Sequence, residues 1–274
     1  MAKFPLGDLI NQAVAWIMTT WGDPLSAFSK NFDKFIVGFH HILTILPWWL
    51  FIIIIVILAL KTSGWKLALG SAIGLLLIYN LELWPDFLDT VVLVLVSAFI
   101  SVLFGIPLGI IAGKSKGFHR IVTPVLDVMQ TMPSFVYLIP ALMFFGLGNF
   151  AAIFATIIFA MPPVIKLTDL GIRQVPVDLI EVGEAFGSNP WQLLFNIQLP
   201  IALPTIMAGL NQTMMLSLSM VVITAMIGAG GLGAGVLYAI SQMNIGMGFE
   251  NGIAVVILAI ILDRLTQSIA HSKK

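Results

Sequence analysis

The sequence has 274 residues, of which 59% are hydrophobic and only 9% are charged. A soluble domain carries about 25% charged residues, so this chain has too few polar groups to coat a water-exposed globule and is an integral membrane protein. The formal net charge is zero, which gives no indication of a nucleic-acid partner, and the absence of cysteine excludes disulfides and thiolate metal sites. The opening residues MAKFPLGDLINQ lack a basic region followed by an apolar one, so we expect no signal peptide.

The N-terminal segment, residues 1–41, predicts an amphipathic helix that lies in the membrane interface. One face carries its large apolar side chains at helical spacing: Phe28, Phe32, Phe35, Ile36 and Phe39. The sequence GDPLS at 22–26 is expected to interrupt this helix. Two alternatives stay open, namely a helix packed on the outside of the bundle and an extra span that includes residues 10–22. His40 and His41 are adjacent, so they do not face one ligand on a helix, and we expect no metal site.

Seven apolar segments predict an all-α integral membrane protein of about seven transmembrane helices. A helix needs about 20 apolar residues to cross the bilayer, and lipid leaves no partner for unpaired backbone groups. The predicted spans are 42–60, 67–81, 90–113, 122–145, 150–165, 203–226 and 251–268. The fourth and fifth spans divide a run without charged residues, 128–165, at the GLGN sequence. The first two spans fall in a region of extra helices, residues 42–84.

Ten of the thirteen basic residues follow the first predicted span, and all ten fall on one side of the seven spans. They are Lys61, Lys66, Lys114, Lys116, Arg120, Lys166, Arg173, Arg264, Lys273 and Lys274. The opposite loops carry only acids, which are Glu82, Asp86, Asp89 and Glu250. Lysine and arginine favour the cytoplasmic side, so we expect residues 166–200 and the C-terminus in the cytoplasm and the N-terminus outside. If residues 67–81 are re-entrant, the N-terminus moves inside.

A polar segment, EVGEAFGSNPWQLLFNIQLP at 181–200, interrupts the apolar chain. Pro176 favours a helix start, and Gly187 can end that helix in the left-handed conformation. Asn189 is a good N-cap, and Pro190 fits the first position of a second short helix. The segment therefore predicts helix, tight turn and helix at the cytoplasmic surface. The alternative is an ordinary loop packed against its own bundle.

The spacing within this segment resembles the EAA loop of permease subunits of binding-protein-dependent ABC importers. That pattern is E-A-A, three residues, G, nine residues and I-x-L-P, and here Val182 and Gly183 replace the two alanines. In the family the loop carries a coupling helix that docks in a groove of the cytoplasmic ATPase. The resemblance implies this role for Glu181, Glu184, Ala185, Gly187, Ile197, Leu199 and Pro200. The two glutamates share one helix face, where they could meet basic groups of the partner.

From about residue 85 onward the chain resembles the glycine betaine/proline betaine permeases. The sequences LDVMQTMPSFVYLIPALMFFGLG and ILAIILDRLTQ carry this resemblance. It implies a type I ABC importer permease core over 85–274, with an EAA-type coupling loop at 177–200, in the bacterial cytoplasmic (inner) membrane. The implied partners are cytoplasmic ABC ATPase subunits, an extracellular or periplasmic substrate-binding protein, a second copy of the chain and membrane lipid.

The sequence has no G-x-x-x-x-G-K-[ST] phosphate loop, so we expect no cofactor in this chain and ATP-Mg in the partner subunit. GAGGLGAG at 228–235 lacks the lysine and predicts an external or re-entrant turn. The resemblance implies that the chain is a transport subunit rather than an enzyme, and that it imports glycine betaine or a related quaternary-ammonium osmoprotectant by alternating access driven by a separate ATPase subunit. Alternatives are choline, carnitine or an amino acid as substrate, and an ATPase-independent secondary transporter.

Aromatic faces attract quaternary ammonium groups, which makes some side chains candidates for the translocation pathway. These candidates are Met132, Phe135, Tyr137 and Met214. Packing inside the bundle is the alternative for each of them. Asp127 is the only acid between residues 120 and 165, so it is either functional or close enough to a span end to reach the interface. Asp263 and Arg264 predict an interfacial ending of the last span.

Overall fold

A computed structural model describes residues 6–271 of the chain and the side chains of residues 7–268. Residues 1–5 and 272–274, which include two lysines of the predicted charge pattern, lie outside this range. The helices are α1 (Leu6–Ile45), α2 (Trp48–Ser63), α3 (Trp65–Asn80), α4 (Trp84–Lys114), α5 (Lys116–Thr131), α6 (Leu138–Phe145), α7 (Asn149–Arg173), α8 (Val177–Ala185), α9 (Pro190–Gln192), α10 (Leu199–Ala225), α11 (Leu232–Ser241) and α12 (Ile245–His271). Over the described residues the secondary structure is helical without strands, which confirms the all-α prediction.

Helix α1 is continuous for 40 residues, so the predicted interruption at 22–26 is wrong. A proline inside a helix costs about 3 kcal/mol, because it removes one backbone hydrogen bond and clashes with the preceding turn. Here the apolar stripe keeps its helical register across Pro24, from Trp21 to Phe28, so one helical face continues on both sides. The C-terminal half of α1 packs on α7, where the rings of Phe32 and Phe150 lie 4.9 Å apart.

The count of membrane spans differs from the predicted seven. Among the described residues, four helices are long and apolar enough to cross a membrane alone: α4, α7, the helix Pro190–Ala225 and the helix Ile245–Ser268. By length and composition, two bent pairs in the same range raise the count to six, namely α1 with α2 at 91° and α5 with Ser134–Phe145 at 109°, and α3 is a further, shorter apolar helix. The helices α2 and α3 lie at the predicted spans 42–60 and 67–81, and each has 16 residues and is about 24 Å long.

The predicted span 122–145 is broken rather than straight. Helix α5 ends at Thr131, and Met132 and Pro133 are extended, with ψ of 137° and 136°. Proline disfavours the helical conformation of the residue before it, which explains the break at Met132. A 3-10 turn over Ser134–Tyr137 then leads into α6.

Helices α2 and α3 form a hairpin whose open end and turn lie at opposite ends of the bundle. Trp48 stacks on Tyr79 at 4.2 Å, close to the acidic N-terminal end of α4. At the hairpin turn, the Ser63 hydroxyl donates to the backbone oxygen of Arg264 on α12 at 3.4 Å. The turn, with Lys61 close by, therefore lies at the same end as the basic residue of α12, as the charge pattern indicates.

Helix α7 runs between α4 and α10 and makes close contacts with both. Gly105, Gly109 and Gly113 on α4 face Val164, Thr168 and Ile172 on α7. A Cβ added at Gly109 would lie 2.5 Å from the Thr168 Cβ and 2.7 Å from the backbone oxygen of Ile165. Small residues let helix backbones approach closely in lipid, where packing replaces the hydrophobic effect as the driving force. This glycine stripe therefore fixes α4 on α7.

Replacing Gly109 by alanine should destabilise the fold by about 1–3 kcal/mol, because the added methyl overlaps the backbone of α7. Gly109→Ala should lower the melting temperature of the detergent-purified chain in a thermal unfolding assay. Gly70→Ala on α3 is the matched control, because its Cβ meets nothing within 4 Å. Equal melting temperatures for the two variants would contradict the close contact between α4 and α7.

Candidate functional site

The polar segment begins with a short helix that matches the sequence prediction. Helix α8 starts directly after Pro176, carries Asp178 in its first turn and ends before Gly187. Gly187 has a φ of +78°, and its N–H donates to the Glu184 backbone oxygen at 2.8 Å. The left-handed conformation is accessible to glycine without the steric cost that a Cβ imposes. The predicted glycine turn is therefore confirmed.

The second half of the segment starts as predicted and then continues into the membrane. The Asn189 side chain accepts from the backbone N–H of Gln192 at 2.9 Å, and the Gln192 side chain accepts from the Asn189 N–H at 2.8 Å. This capping box begins α9, but no separate helix follows, because a π-helical stretch over Leu193–Gln198 joins α9 to α10. Pro200 has no N–H to donate, so one backbone carbonyl of the π-helical stretch lacks its usual helical hydrogen-bond donor. A single helix of 36 residues, Pro190–Ala225, results.

Gly183, which replaces the second alanine of the EAA pattern, lies in a close contact between α8 and the π-helical stretch. It is buried, and a Cβ at this position would lie 2.6 Å from Leu193 Cδ2 and 2.6 Å from Ile197 Cδ1. The Cβ of an alanine would displace the ends of these two flexible side chains, whereas glycine lets α8 lie directly on the π-helical stretch without moving them. This contact closes the segment into one compact unit.

The structure exposes most of the predicted docking residues. Those with exposed positions are Glu181, Glu184, Ala185, Gly187 and Pro200, whereas Ile197 and Leu199 are half-buried. Leu193 and Leu194, by contrast, are buried, and Leu194 packs against Ile172 on α7 and Ala202 on α10. One face of the segment therefore packs on its own bundle, as the loop alternative requires, and the opposite face is open.

The open face carries three aromatic side chains that sequence reasoning missed. Phe186 is 87% exposed, Trp191 69% and Phe195 58%, and the rings of Trp191 and Phe195 stack at 6.0 Å. Large exposed apolar side chains grouped in this way are typical of protein interaction surfaces. Beside them lies a shallow groove of about 430 Å³, lined in part by Leu179, Val182, Phe186, Ile197 and Ile201. The sequence signal was available, since these aromatics stand inside a polar segment.

One polar contact reaches this segment from α4, and others join the ends of α5 and α7 beside it. Lys114 Nζ at the end of α4 donates to the Pro190 backbone oxygen at 3.3 Å. Arg173 at the end of α7 donates through Nε to Asp169 Oδ1 at 2.7 Å, and His119 Nδ1 lies 2.7 Å from Asp169 Oδ2. The Asp169 side chain is only 12% exposed, so its carboxylate joins α5 to α7 where water screens it weakly.

The structure does not bring the four predicted pathway residues to one open surface. Tyr137 is buried, where its hydroxyl donates to the Met129 backbone oxygen at 2.5 Å and its ring packs on Phe159 at 5.9 Å. Met214 is buried as well, whereas Met132 is half-buried at the break after α5 and Phe135 is exposed. Their role in translocation stays a prediction.

Asp127, for which the sequence allowed either a functional or an interfacial role, has an ion-pair partner. Asp127 accepts from Lys166 Nζ at 2.5 Å, and the same ammonium donates to the Gln130 side chain at 2.5 Å. This ion pair joins α5 to α7 near the predicted membrane interface.

Asp263 links two helices rather than only ending the last span. Its Oδ1 accepts from Asn211 Nδ2 on α10 at 2.9 Å and from Gln267 Nε2 at 2.7 Å. In the described part of the chain, no group of three histidine or acidic side chains could hold a metal ion.

Comparison with known proteins gives relatives over the whole chain. The family described as "Binding-protein-dependent transport system inner membrane component" matches residues 105–273. The glycine betaine transport system permease protein OpuAB of Bacillus subtilis is 49% identical over 274 residues, covering 100% of this chain and 97% of that protein. The glycine betaine/carnitine transport permease protein GbuB of Listeria monocytogenes is 48% identical, over 94% of this chain and 96% of that protein.

Further comparisons extend the match to an enterobacterial relative and to a solved structure. The glycine betaine/proline betaine transport system permease protein ProW of Escherichia coli is 43% identical, over 98% of this chain and 76% of that protein. Among solved structures, an inward-facing form of the MetNI methionine ABC transporter gives a TM-score of 0.65 at 22% identity, over 69% of this chain and 95% of that chain. The structural match shows the shared type I permease fold.

Replacing Gly187 by alanine should loosen the turn between α8 and α9. A Cβ in the left-handed region costs about 1–2 kcal/mol, and Gly187 has that conformation. Hydrogen exchange of backbone amides in residues 177–192 should become faster in Gly187→Ala. Gly117→Ala is the control on a neighbouring helix start, because its Cβ meets only Ser115 Oγ at 4.0 Å. Unchanged exchange in Gly187→Ala would contradict the turn.

Proposed function

The chain belongs to the family of binding-protein-dependent transport system inner membrane components. From its glycine betaine permease relatives, we propose that it imports glycine betaine or a related quaternary-ammonium osmoprotectant with a separate ATPase. As a family member it is a permease subunit of an ABC importer, a transport protein rather than an enzyme. One observation above all supports coupling to an ATPase. Residues 177–200 present exposed aromatics and two glutamates at the end of the bundle where basic residues gather.

The docking surface is the open face of residues 177–200, with Phe186 and Trp191 as its anchors. Aromatic side chains dominate the binding energy of many interfaces, because they bury a large rigid area. Glu181 and Glu184 are exposed on α8 and offer charges to basic groups of the partner. The groove beside Phe186 is apolar enough to receive a side chain of the ATPase in return.

Force applied at this surface reaches the membrane through two helices at once. Helix α7 leads into the segment through the turn at 174–176, and the 36-residue helix Pro190–Ala225 leads out of it. A Cβ at Gly171 on α7 would meet Ala202 on α10 at 3.1 Å, so the two helices touch directly above the segment. ATP-driven movement of the segment thus rotates α7 and α10 together, which is how alternating access is produced here.

The complete transporter contains two copies of this chain, two cytoplasmic ATPase subunits that bind ATP-Mg, and a substrate-binding protein. The end that carries Lys114, Arg173 and the docking surface faces the cytoplasm, because lysine and arginine favour that side. Helix α1 meets α2 at 91° and crosses the opposite end of the bundle, where His40 Nε2 lies 3.1 Å from Asp89 Oδ1. The binding protein approaches this opposite end, and α1 lies there in the membrane interface.

The substrate is inferred from the relatives, whose names give glycine betaine for OpuAB, glycine betaine or carnitine for GbuB and glycine betaine or proline betaine for ProW. Each of these solutes joins a quaternary ammonium to a carboxylate. The exposed Phe135 next to the break in α5 and α6 offers an aromatic face for such a cation. Choline or an amino acid is the alternative cargo within the same family.

Removing the aromatic anchors should release the ATPase. The double variant Phe186→Ala with Trp191→Ala should weaken binding of the ATPase about a thousandfold, because each anchor at the centre of an interface contributes about 2 kcal/mol and about 1.4 kcal/mol is a factor of ten. The matched control replaces Trp16 and Trp21 of α1, which are 64% and 56% exposed. That control should retain the ATPase, and equal loss from both double variants would contradict the assigned surface.

Uptake into proteoliposomes tests the proposed cargo. The chain, reconstituted with the ATPase and the binding protein from the same source, should accumulate labelled glycine betaine only when ATP is supplied. Unlabelled carnitine, choline and individual amino acids, added in excess, rank the alternative cargoes by competition. Uptake by the chain alone on an ion gradient would contradict an ATP-driven importer, and uptake of an amino acid in place of glycine betaine would contradict the cargo.

A further inference from the structure

A groove of about 580 Å³ lies between the α2–α3 hairpin turn and the C-terminal part of α12, away from the docking surface. We call it the hairpin groove and define it by Thr62, Ser63, Lys66, Leu67, Ile260 and Arg264. The contact between Ser63 and the backbone of Arg264 closes its base. The groove opens toward the outside of the bundle, since Lys66 is exposed and the Arg264 side chain is 61% exposed.

The groove is positively charged at one end and apolar at the other. Lys66 has no hydrogen-bond or ion-pair partner in the described part of the chain. Within the same described range, the Arg264 guanidinium has one distant ion-pair partner, with 3.9 Å between its Nε and Asp263 Oδ2. Asn211 and Gln267 already donate hydrogen bonds to Asp263 Oδ1, so Asp263 does not bind Arg264 closely. Lys66 and Arg264 therefore keep most of their N–H donors for a ligand. Leu67 and Ile260 supply the apolar wall.

Two further features of the groove favour a negatively charged ligand. Helix α3 begins at Trp65 after Gly64, which makes no side-chain cap, and the start of a helix of 16 residues favours negative charge. The Ser268 hydroxyl also lines the groove, and it is buried without a hydrogen-bond partner among the described residues. A phosphate oxygen in the groove would accept charge-assisted hydrogen bonds from the guanidinium of Arg264.

The groove lies at the level of the membrane interface. Trp65 is 66% exposed beside Lys66, and exposed tryptophan next to basic residues is typical of the headgroup region. The hairpin reaches from the acidic end of the bundle to this turn over about 24 Å, close to the thickness of the hydrocarbon core. A ligand seated here therefore has its polar end among headgroups and its apolar end in the hydrocarbon.

We propose that the hairpin groove binds the phosphodiester headgroup of an anionic glycerophospholipid on the side of the membrane that carries residues 177–200. Lys66 and Arg264 contact the phosphate, and an acyl chain lies against Leu67 and Ile260. A free phosphate ion would leave this apolar wall exposed to lipid and without a ligand. The bound lipid bridges α3 to α12 and so fastens the N-terminal hairpin to the permease core.

Native mass spectrometry of the purified full chain, with phosphatidylglycerol or phosphatidylcholine added at defined amounts, measures this binding. Lys66→Gln with Arg264→Gln should weaken phosphatidylglycerol binding about tenfold, as expected when charge-assisted hydrogen bonds are lost. Thr62→Glu is a second variant, which leaves both cations in place and adds a negative charge to the groove. It should weaken binding as well, and excess inorganic phosphate should displace little lipid from the unaltered chain.

The matched control is Lys116→Gln with Arg120→Gln, which removes the same charge from exposed positions at the start of α5. This control should keep the bound phosphatidylglycerol. Equal loss from both charge-removal variants would contradict the hairpin groove in favour of diffuse charge attraction. Full retention in the Lys66 and Arg264 variant, equal binding of phosphatidylcholine, or displacement by inorganic phosphate would also overturn the proposal.

Discussion

The close packing of α7 between α4 and α10 is the interaction on which the rest of the structure depends. Glycines at 105, 109 and 113 bring α4 against α7, and Gly209 brings α10 against the other side, where a Cβ would meet Leu167 at 3.1 Å. No hydrophobic effect drives helices together in lipid, so this close backbone approach supplies the dispersion contacts that hold them. The shorter and less regular helices are arranged around this three-helix core.

The docking surface is rigid because this three-helix core holds both of its ends. Its first helix follows the end of α7, and its second half is continuous with α10, so both ends of the segment are attached to helices that already touch each other. Lys114 on α4 adds a hydrogen bond to the Pro190 backbone oxygen, and Asp169 joins the end of α7 to α5 through His119. An external motor that moves residues 177–200 therefore moves a packed unit rather than a flexible loop.

Local chemistry in the sequence predicted the segment well, and long-range packing was harder to predict. Pro176, Gly187 and Asn189 each act through their own backbone, so the helix start, the left-handed turn and the N-cap were predictable. The break at Met132 came from a proline whose effect competes with a long apolar run, and hydropathy alone cannot rank the two. The continuity of Pro190–Ala225 depends on a π-helical stretch, which leaves no pattern in composition. Phe186 and Trp191 were not predicted, because they lie at positions that the EAA pattern does not specify.

The most direct test of a rigid connection is a spin-label distance within the helix Pro190–Ala225. The chain has no cysteine, so labels at Gln192→Cys and Ser219→Cys are unambiguous, and dilution with unlabelled chain removes distances between copies. Helical rise puts these positions about 40 Å apart. The account predicts the same narrow distance distribution in the assembled transporter with ADP and with ATP. A distribution that shifts or broadens with ATP would show a hinge in the π-helical stretch and would contradict rigid coupling.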